Sequence, residues 1–380
     1  MSADFCIIGG GIAGLSIAAE LTGKAEVIVL EREADLAYHT TGRSAALYSE
    51  LVASSMALAL SRLSRSFLTN PPVGFTPSPL HHDIGCIFTA TAQQMELARE
   101  VINEQAGLQM LDSDQLQALV PVLRTGDGSV TCGLYEKGAF KIDVAALVDA
   151  YRRQFVSAGG TIRCNAEVVA LQQQAGGWEI KLSNNDIVQS KKVINAAGAW
   201  GDVIAELANV APLGLRPLRR TIIAFEGPEN TNVDDWPAVG GIDGGYYFLP
   251  EAGLLTGSSA DEVESPPCDA QPEEYDIALA AHNIQANTTL NIKRIQHKWA
   301  GLRTFSPDRQ LVAGYDPVCP DFFWFVGQGG FGIQTAPAAA HAAAFLALEK
   351  KIPEHYEQAG VTEQALAPGR FLPTAENARE

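Results

Sequence analysis

Apolar residues recur along this chain with two periods, and the alternation between them outlines the fold. Residues 5–8 form a short apolar run, too short for a helix and stopped at once by Gly9, Gly10 and Gly11; this predicts a buried parallel strand. From Ile12 to Thr22 the apolar side chains fall at Ile12, Leu15, Ala18, Ala19 and Leu21, a helical spacing that Gly23 ends. Residues 27–30 predict a second buried strand, closed by Glu31. Helical spacing returns over 90–125 (Met95, Leu97, Val101, Leu108, Leu111, Leu116, Leu119) until Pro121 and Gly126, and again over 143–158. Short strands are predicted at 161–164, 167–171, 178–182 and 187–194, the last running into small residues at 195–200. A more antiparallel region follows, with strands at 213–225, 245–249, 253–257 and 291–300 and a Pro- and acid-rich loop at 261–274. A strand at 322–326 then meets a glycine run and an Ala-rich helix over 336–349, and residues 353–380 read as a loose tail.

The first of these junctions carries chemistry. Gly9, Gly11 and Gly14 form G-x-G-x-x-G between a strand and a helix, with Ile12 and Ala13 on the opening turn and an acid at the end of the next strand. The first glycine permits a tight turn, the second lets a pyrophosphate approach the backbone, and the third lets helix and strand pack closely. Phosphates sit at the positive helix N-terminus, and Glu31 accepts hydrogen bonds from ribose hydroxyls. An acid there disfavours a 2′-phosphorylated ribose, which leaves NAD or FAD. Arg32 beside it reads as a solvated charge at the same end of the site. The polar loop 39–46, with Thr41, Gly42, Arg43 and Ser44, either donates to phosphate and ring oxygens or is an ordinary capped loop.

Composition narrows the field. The 380 residues, 47% hydrophobic and 19% charged, suit two or three globular domains. A formal charge of −17 without any basic block excludes a nucleic-acid partner. Six scattered cysteines without C-x-x-C fit reduced thiols, and neither a signal peptide nor an apolar run of about 18 residues is present, so a soluble, cytoplasmic protein is expected. No metal is expected, because the seven histidines show no ligand spacing, and no G-x-S-x-G elbow is found. The pair His81-His82 reads as a solvated loop.

The glycine fingerprint with Glu31, Thr-Gly-Arg-Ser at 41–44, Val-Ile-Asn-Ala-Ala-Gly at 193–198, Ala-Gly-Leu-Arg-Thr-Phe at 300–305 and Gly-Gln-Gly-Gly-Phe-Gly-Ile-Gln at 327–334 together resemble the FAD-dependent D-amino-acid dehydrogenase and oxidase family, which includes glycine and sarcosine oxidases. The order of the strings is most similar to the D-arginine dehydrogenase type. The resemblance implies an α/β fold: a Rossmann-like FAD-binding domain of the glutathione-reductase type (residues 1–80, 140–210 and 300–380) and an α+β substrate domain with an antiparallel sheet (81–139 and 211–299). It implies non-covalent FAD held by the fingerprint, Glu31, Arg32, residues 41–44, Val168, Ala197 and Gly198. Gly329, Gly330, Phe331, Gly332 and Ile333 would place a helix N-terminus at the flavin pyrimidine, where negative charge gathers on reduction. Arg303 would pair with a substrate α-carboxylate through a two-pronged fork. Arg220, rather than its neighbour Arg219, would assist with Tyr247 and Gln334, and Tyr48 and Gly330 would contact substrate.

The implied reaction is oxidative deamination: hydride leaves the α-carbon for flavin N5, and water hydrolyses the imino acid to a 2-oxo acid and ammonia. Secondary amines of the sarcosine or glycine kind, or 2-hydroxy acids, are the alternatives, and a non-catalytic FAD protein is a third. Departures from the family refine this. Where sarcosine-type oxidases carry a lysine, the position reads Leu255, which favours a dehydrogenase passing electrons to a quinone or another acceptor, with peripheral contact at a membrane as one way to reach it. No cysteine lies between Cys268 and Cys319 to bond the flavin. The tyrosine and acid that suit a D-arginine side chain are replaced by Val52 and by Gly85 or Cys86, with Glu50 or Asp83 as substitutes, so a neutral side chain is expected.

Overall fold

The structure, a computed structural model, describes residues 2–51, 54–126 and 128–371. Its first layer is a parallel sheet in the order Phe322–Val326, Ile187–Asn195, Ser2–Ile8, Val27–Leu30, Thr161–Arg163. The hairpin Val168–Gln174 and Gly177–Leu182 extends it antiparallel to the first half of Ile187–Asn195, and Val312–Tyr315 pairs with Phe322–Val326. Strands as uniformly apolar as Phe322–Val326 need cover on both faces. One face receives the helices Ile12–Leu21 and Gly332–Ala347, the second of which buries a row of alanines that allows close approach. The helix Val144–Ser157 packs against the first of these through Leu147 and Tyr151. The opposite face closes over Trp178, Ile180, Phe322 and Trp324 beneath the hairpin and the helix Gly201–Leu207.

A nine-stranded, largely antiparallel sheet faces this layer. Its outer side is a separate core of Ile223, Phe225, Phe248 and Leu255 under the helix Glu274–Asn287. Strand alternation sorts the two neighbouring arginines of Arg216–Phe225 onto opposite faces. Arg219 turns outward and pairs with Glu273 Oε1 at 2.5 Å and with the buried Asp276 Oδ2 at 2.9 Å. Arg220 turns inward, toward the parallel layer, with Ile222. Leu47–Tyr48, His81–Asp83 and Phe140–Ile142 form a small third sheet, so His81 and His82 are strand residues instead of a loop pair, and only His82 is exposed.

The elements over residues 2–30 and 161–195 sit where the sequence pattern puts them, the helix Ser55–Thr69 and the strands Cys86–Thr91 and Val130–Glu136 are additional to it, and four further readings change. The helical stretch over 90–125 is cut in two. Gly107, at φ +87°, follows the helix Met95–Glu104, and Leu108–Asp112 joins the second sheet before Asp112 caps the helix Ser113–Leu119 with Gln115 in a capping box. The predicted strand 291–300 begins later, at His297, and runs to Phe305 against Arg216–Phe225, which carries the second sheet past the expected boundary at 300. The helix Glu274–Asn287 begins where the acid-rich loop was expected to end, so that loop is its lead-in. Residues 353–371 are no loose tail: Val361 and Leu366 are fully buried, the Tyr356 hydroxyl donates to Ala338 O at 3.0 Å, and Arg370 binds Asp308 and four backbone carbonyls. Residues 372–380 lie outside the described residues.

Replacing Arg219 by Met would leave the Asp276 carboxylate buried without a partner. A loss of about 3 kcal/mol of unfolding free energy is expected, read by denaturant titration of the holoprotein. A loss below about 0.5 kcal/mol would show that the ion pair does not hold the outer helix.

Candidate active site

Between the two layers lies a cavity of about 730 Å³. One end is built by the opening strand–helix junction. A Cβ on Gly14 would stand 1.9 Å from Gly9 O, and one on Gly9 would stand 2.5 Å from Ala196 O, so backbone approaches backbone where only glycine fits. Gly9 also has φ +115°. The Glu31 carboxylate is fixed by the backbone N–H groups of Gly10 at 2.7 Å and Glu33 at 2.9 Å. Val168, Ala166 and Glu167 line the cavity beside it. Arg32 lies over the Trp200 ring at 5.0 Å, and His39 packs on the same ring.

The loop 37–46 is the seam between the layers. The Thr41 hydroxyl accepts from Ile12 N at 3.0 Å, which leaves its own proton free toward the cavity. Thr40 donates to Leu302 O at 2.6 Å. The Arg43 guanidinium is occupied by Ala270 O, Ala300 O and Asp269, and Trp299 Nε1 donates back to Arg43 O. Gly42 is tight as well, since a Cβ would lie 2.5 Å from Ala37 O.

Farther along, Gly329 and Gly330 pass under the second sheet and Gly332 opens the helix Gly332–Ala347. A Cβ on Gly329 would strike the Phe305 ring at 2.4 Å, and one on Gly330 would stand 2.9 Å from Arg303 Nη1. Arg303, Arg220 and Tyr247 converge on this stretch of wall. Arg303 Nη2 donates to Glu262 at 2.7 Å, whereas its buried Nε has no partner, and neither has the buried Thr304 hydroxyl next to it. Burial, with the positive charge of Arg220 nearby, pushes the Arg303 guanidinium down to about 10. Arg220 donates to Asp261 O and Ala260 O, both at 2.8 Å, and lies over the Tyr247 ring at 5.8 Å. The cavity then ends mainly against apolar side chains, Phe88, Leu97, Val101, Leu134 and Ile242, with the Asp243 carboxylate beside them bound by Gln94 Nε2 at 2.9 Å and Gly245 N at 3.0 Å. Phe88 packs against the buried cluster that Tyr247 also borders and against the one that Val101 borders, which joins this end to the arginines.

Over residues 4–346 the sequence matches the family described as FAD dependent oxidoreductase. The protein belongs to that family. It is similar to FAD-dependent oxidoreductase domain-containing protein 1 of Xenopus laevis, at 26% identity over 91% of this chain and 79% of that one. It is also similar to the glycine oxidase of Pseudomonas putida, at 23% identity over 89% and 93%. The fold matches the solved glycine oxidase from Geobacillus kaustophilus with a TM-score of 0.79 over 92% of this chain and 96% of that one, at 19% identity.

The cavity of this FAD-dependent oxidoreductase fits the cofactor: a glycine cradle that admits no side chain, an acid already oriented by two backbone donors, and an unengaged Thr41 proton. Gly9, Gly11, Ile12, Ala13, Ala197, Gly198, Phe331 and Ile333 line it together with Thr41, Arg43 and Ser44. Several sequence assignments take a different form. The Arg43 side chain lines the cavity and ties loop to sheet, its guanidinium engaged by Ala270 O, Ala300 O and Asp269. The Gln334 amide, although at the wall, is consumed by Ser49 O and Ser61 Oγ at 3.2 and 2.7 Å and joins two helices to the 49–50 segment. Tyr48 is fully buried, stacked on Phe140 at 4.4 Å, and is not among the residues that line this cavity. Leu255 points into the outer core, away from the arginines, so its identity carries no information about oxygen. Glu50 is held by Arg62 and Asp83 faces solvent; Val52 lies outside the described residues. What sequence reading missed is Trp200 at one end, Glu262 at the arginines, and the Phe88–Ile242 end, whose residues come from three separate segments. Among the described residues no metal-ligand cluster occurs and no helix is long and apolar enough to cross a membrane.

Glu31→Ala removes the carboxylate that lines the cavity beside the glycine turn and strands the Gly10 and Glu33 N–H groups. FAD affinity is expected to fall about tenfold or more, measured by recovery of free-flavin fluorescence on dilution. Unchanged affinity would mean that Glu31 serves the turn alone.

Proposed function

We propose that this protein oxidises the α-carbon–nitrogen bond of a D-amino acid with a neutral side chain, acting as a dehydrogenase with non-covalently bound FAD. The observation that carries this reading is the pair Arg303 and Arg220 on the cavity wall beside the glycine run, with part of the Arg303 fork unpaired. A half-buried guanidinium with an unpaired donor is a receptor for a carboxylate, because two parallel charge-assisted bonds satisfy it at once. Bound FAD supplies the two-electron acceptor. The residues supply orientation: Arg303 holds the carboxylate, Tyr247 packs beside it, and the α-carbon is thereby presented to the ring. Glu262, the carboxylate beside these arginines, is engaged by Arg303 and Arg309 and offers no free base, so the substrate amine must arrive unprotonated. Alignment is then the main source of rate, worth about 7–11 kcal/mol at best.

The apolar end supports a neutral side chain, since Phe88, Leu97, Val101 and Ile242 form it and the one carboxylate beside them, Asp243, already accepts from Gln94 Nε2 and Gly245 N. It also argues against the D-arginine type of substrate. No lysine lines the cavity among the described residues, which supports a dehydrogenase on the chemical reasoning that Leu255 cannot carry. The quinone or other acceptor and the D configuration rest on the family resemblance. A second reading, oxidation of glycine or a secondary amine, is favoured by the similarity to glycine oxidase.

Product analysis separates these. A D-amino acid should release ammonia and its 2-oxo acid in equal amounts, with an artificial dye reduced far faster than oxygen. Glyoxylate from glycine or sarcosine as the best reaction would favour the second reading, and a 2-oxo acid without ammonia from 2-hydroxy acids would contradict both. Arg303→Lys keeps a charge and loses the fork; KM should rise about tenfold or more while the flavin spectrum is retained. In wild type, kcat/KM should fall toward acid pH as the substrate amine protonates. A flat profile from neutral to acid pH contradicts the neutral-amine requirement.

A further inference from the structure

Three arginines meet on one carboxylate at the edge of the cavity. Glu262 Oε1 accepts from Arg303 Nη2 at 2.7 Å and from Arg309 Nη2 at 3.0 Å, and its Oε2 accepts from Arg309 Nη2 at 3.1 Å. Arg220 Nη2 stands 3.9 Å away. The turn that carries Glu262 is itself bound to the site, because its Ala260 and Asp261 carbonyls accept from Arg220. Ala260 takes φ +56° there, a left-handed conformation that few residues other than glycine adopt without cost.

The three cations differ in position. Arg303 and Arg220 line the cavity, with side chains 18% and 14% exposed, whereas Arg309 is 49% exposed, does not line the cavity and stacks on Phe305 at 3.8 Å. Glu262 therefore bridges the cavity arginine and a rim arginine, and it already engages the rim arginine through both oxygens. It is a carboxylate on the very donor that would receive a substrate carboxylate.

We propose that Glu262 is a resident carboxylate that occupies Arg303 in the absence of substrate and yields to the substrate α-carboxylate by moving wholly onto Arg309. This rests on the reading of Arg303 as the carboxylate anchor. A half-buried guanidinium beside a second one is costly without an anion, and Glu262 supplies that anion. Substrate affinity is then the difference between two similar charge-assisted bonds instead of the whole of one. A ligand without a correctly placed carboxylate cannot displace Glu262, so the contact raises KM and selects for α-carboxylates together. Glu262 acts through Arg303 and is a positioning residue.

The test titrates acetate and propionate into the FAD-loaded protein and follows the shift of the flavin visible band, with KM and kcat for an amino-acid substrate measured in parallel. Glu262→Gln should bind these carboxylates about five- to tenfold more tightly than wild type and show a lower KM at similar kcat. Arg309→Met removes the alternative partner and should weaken binding several-fold, an effect that should largely vanish in the Glu262→Gln background. Unchanged or weaker carboxylate binding in Glu262→Gln would overturn the proposal, because a residue that only orders Arg303 gives that sign. If Glu262→Gln fails to fold, unchanged or tighter binding in Arg309→Met overturns it alone. Wild-type protein that ignores both carboxylates, with Arg303→Met giving the same spectra, would overturn the anchor reading and the proposal with it.

Discussion

At the end of the first strand the chain has no room for a side chain: a methyl on Gly14 would lie 1.9 Å from the carbonyl of Gly9, and one on Gly9 would meet the carbonyl of Ala196. This contact between backbones fixes where the helix Ile12–Leu21 starts and where it points. It brings the end of Ile187–Asn195 against the same turn, so the N-terminus of the helix, the Glu31 carboxylate and the chain at Ala197 all open on one space. The loop 37–46 then binds the second sheet to that junction through Thr40, Arg43 and Trp299. The cavity is thus a gap between two sheets, held at a set width by a loop that contacts both. Its dinucleotide end and its arginine end keep their separation for the same reason.

Charge is distributed against the overall balance. The chain carries −17 formally, yet the cavity wall beside the glycine run presents two guanidinium groups and an opening helix N-terminus. Anions are repelled by the surface in general and attracted at this point, which concentrates selectivity in the site. Strand alternation makes this arrangement affordable: Arg219 is spent on the outer helix, and Arg220 is delivered inward from the next position.

Motifs whose function needs adjacent residues were legible. The strand, glycine triplet, helix and Glu31 lie within one short stretch, and the geometry of that turn follows from sterics alone. Arg220 facing inward also follows from the period of a strand once Arg219 is seen to have acids available on the outer helix. What could not be read is long-range. Phe88, Val101 and Ile242 meet only because a parallel pairing of Cys86–Thr91 with Ala238–Gly241 brings distant segments together. Leu255 looked like a flavin neighbour because its strand is near the cavity, but a one-residue difference in strand phase puts a side chain on the other face. Tyr48 failed in the same manner, its ring captured by Phe140 across a small sheet. The helix over 90–125 was misread because Leu108 and Leu111 satisfy a helical spacing while serving a strand, and Gly107 was the break. The C-terminal segment looked loose because single anchors, such as Tyr356 and Arg370, do not form a pattern.

The central claim is that this cavity uses FAD to oxidise an amino acid held by its carboxylate. It is tested most directly by mixing the FAD-loaded protein anaerobically with D- and L-amino acids, sarcosine and 2-hydroxy acids, and following loss of the flavin visible band before oxygen is readmitted. The account predicts rapid bleaching by neutral D-amino acids, little by their carboxamides, and slow return of colour in air. Bleaching that is equally fast with carboxamides, or absent with every amino acid, would contradict it.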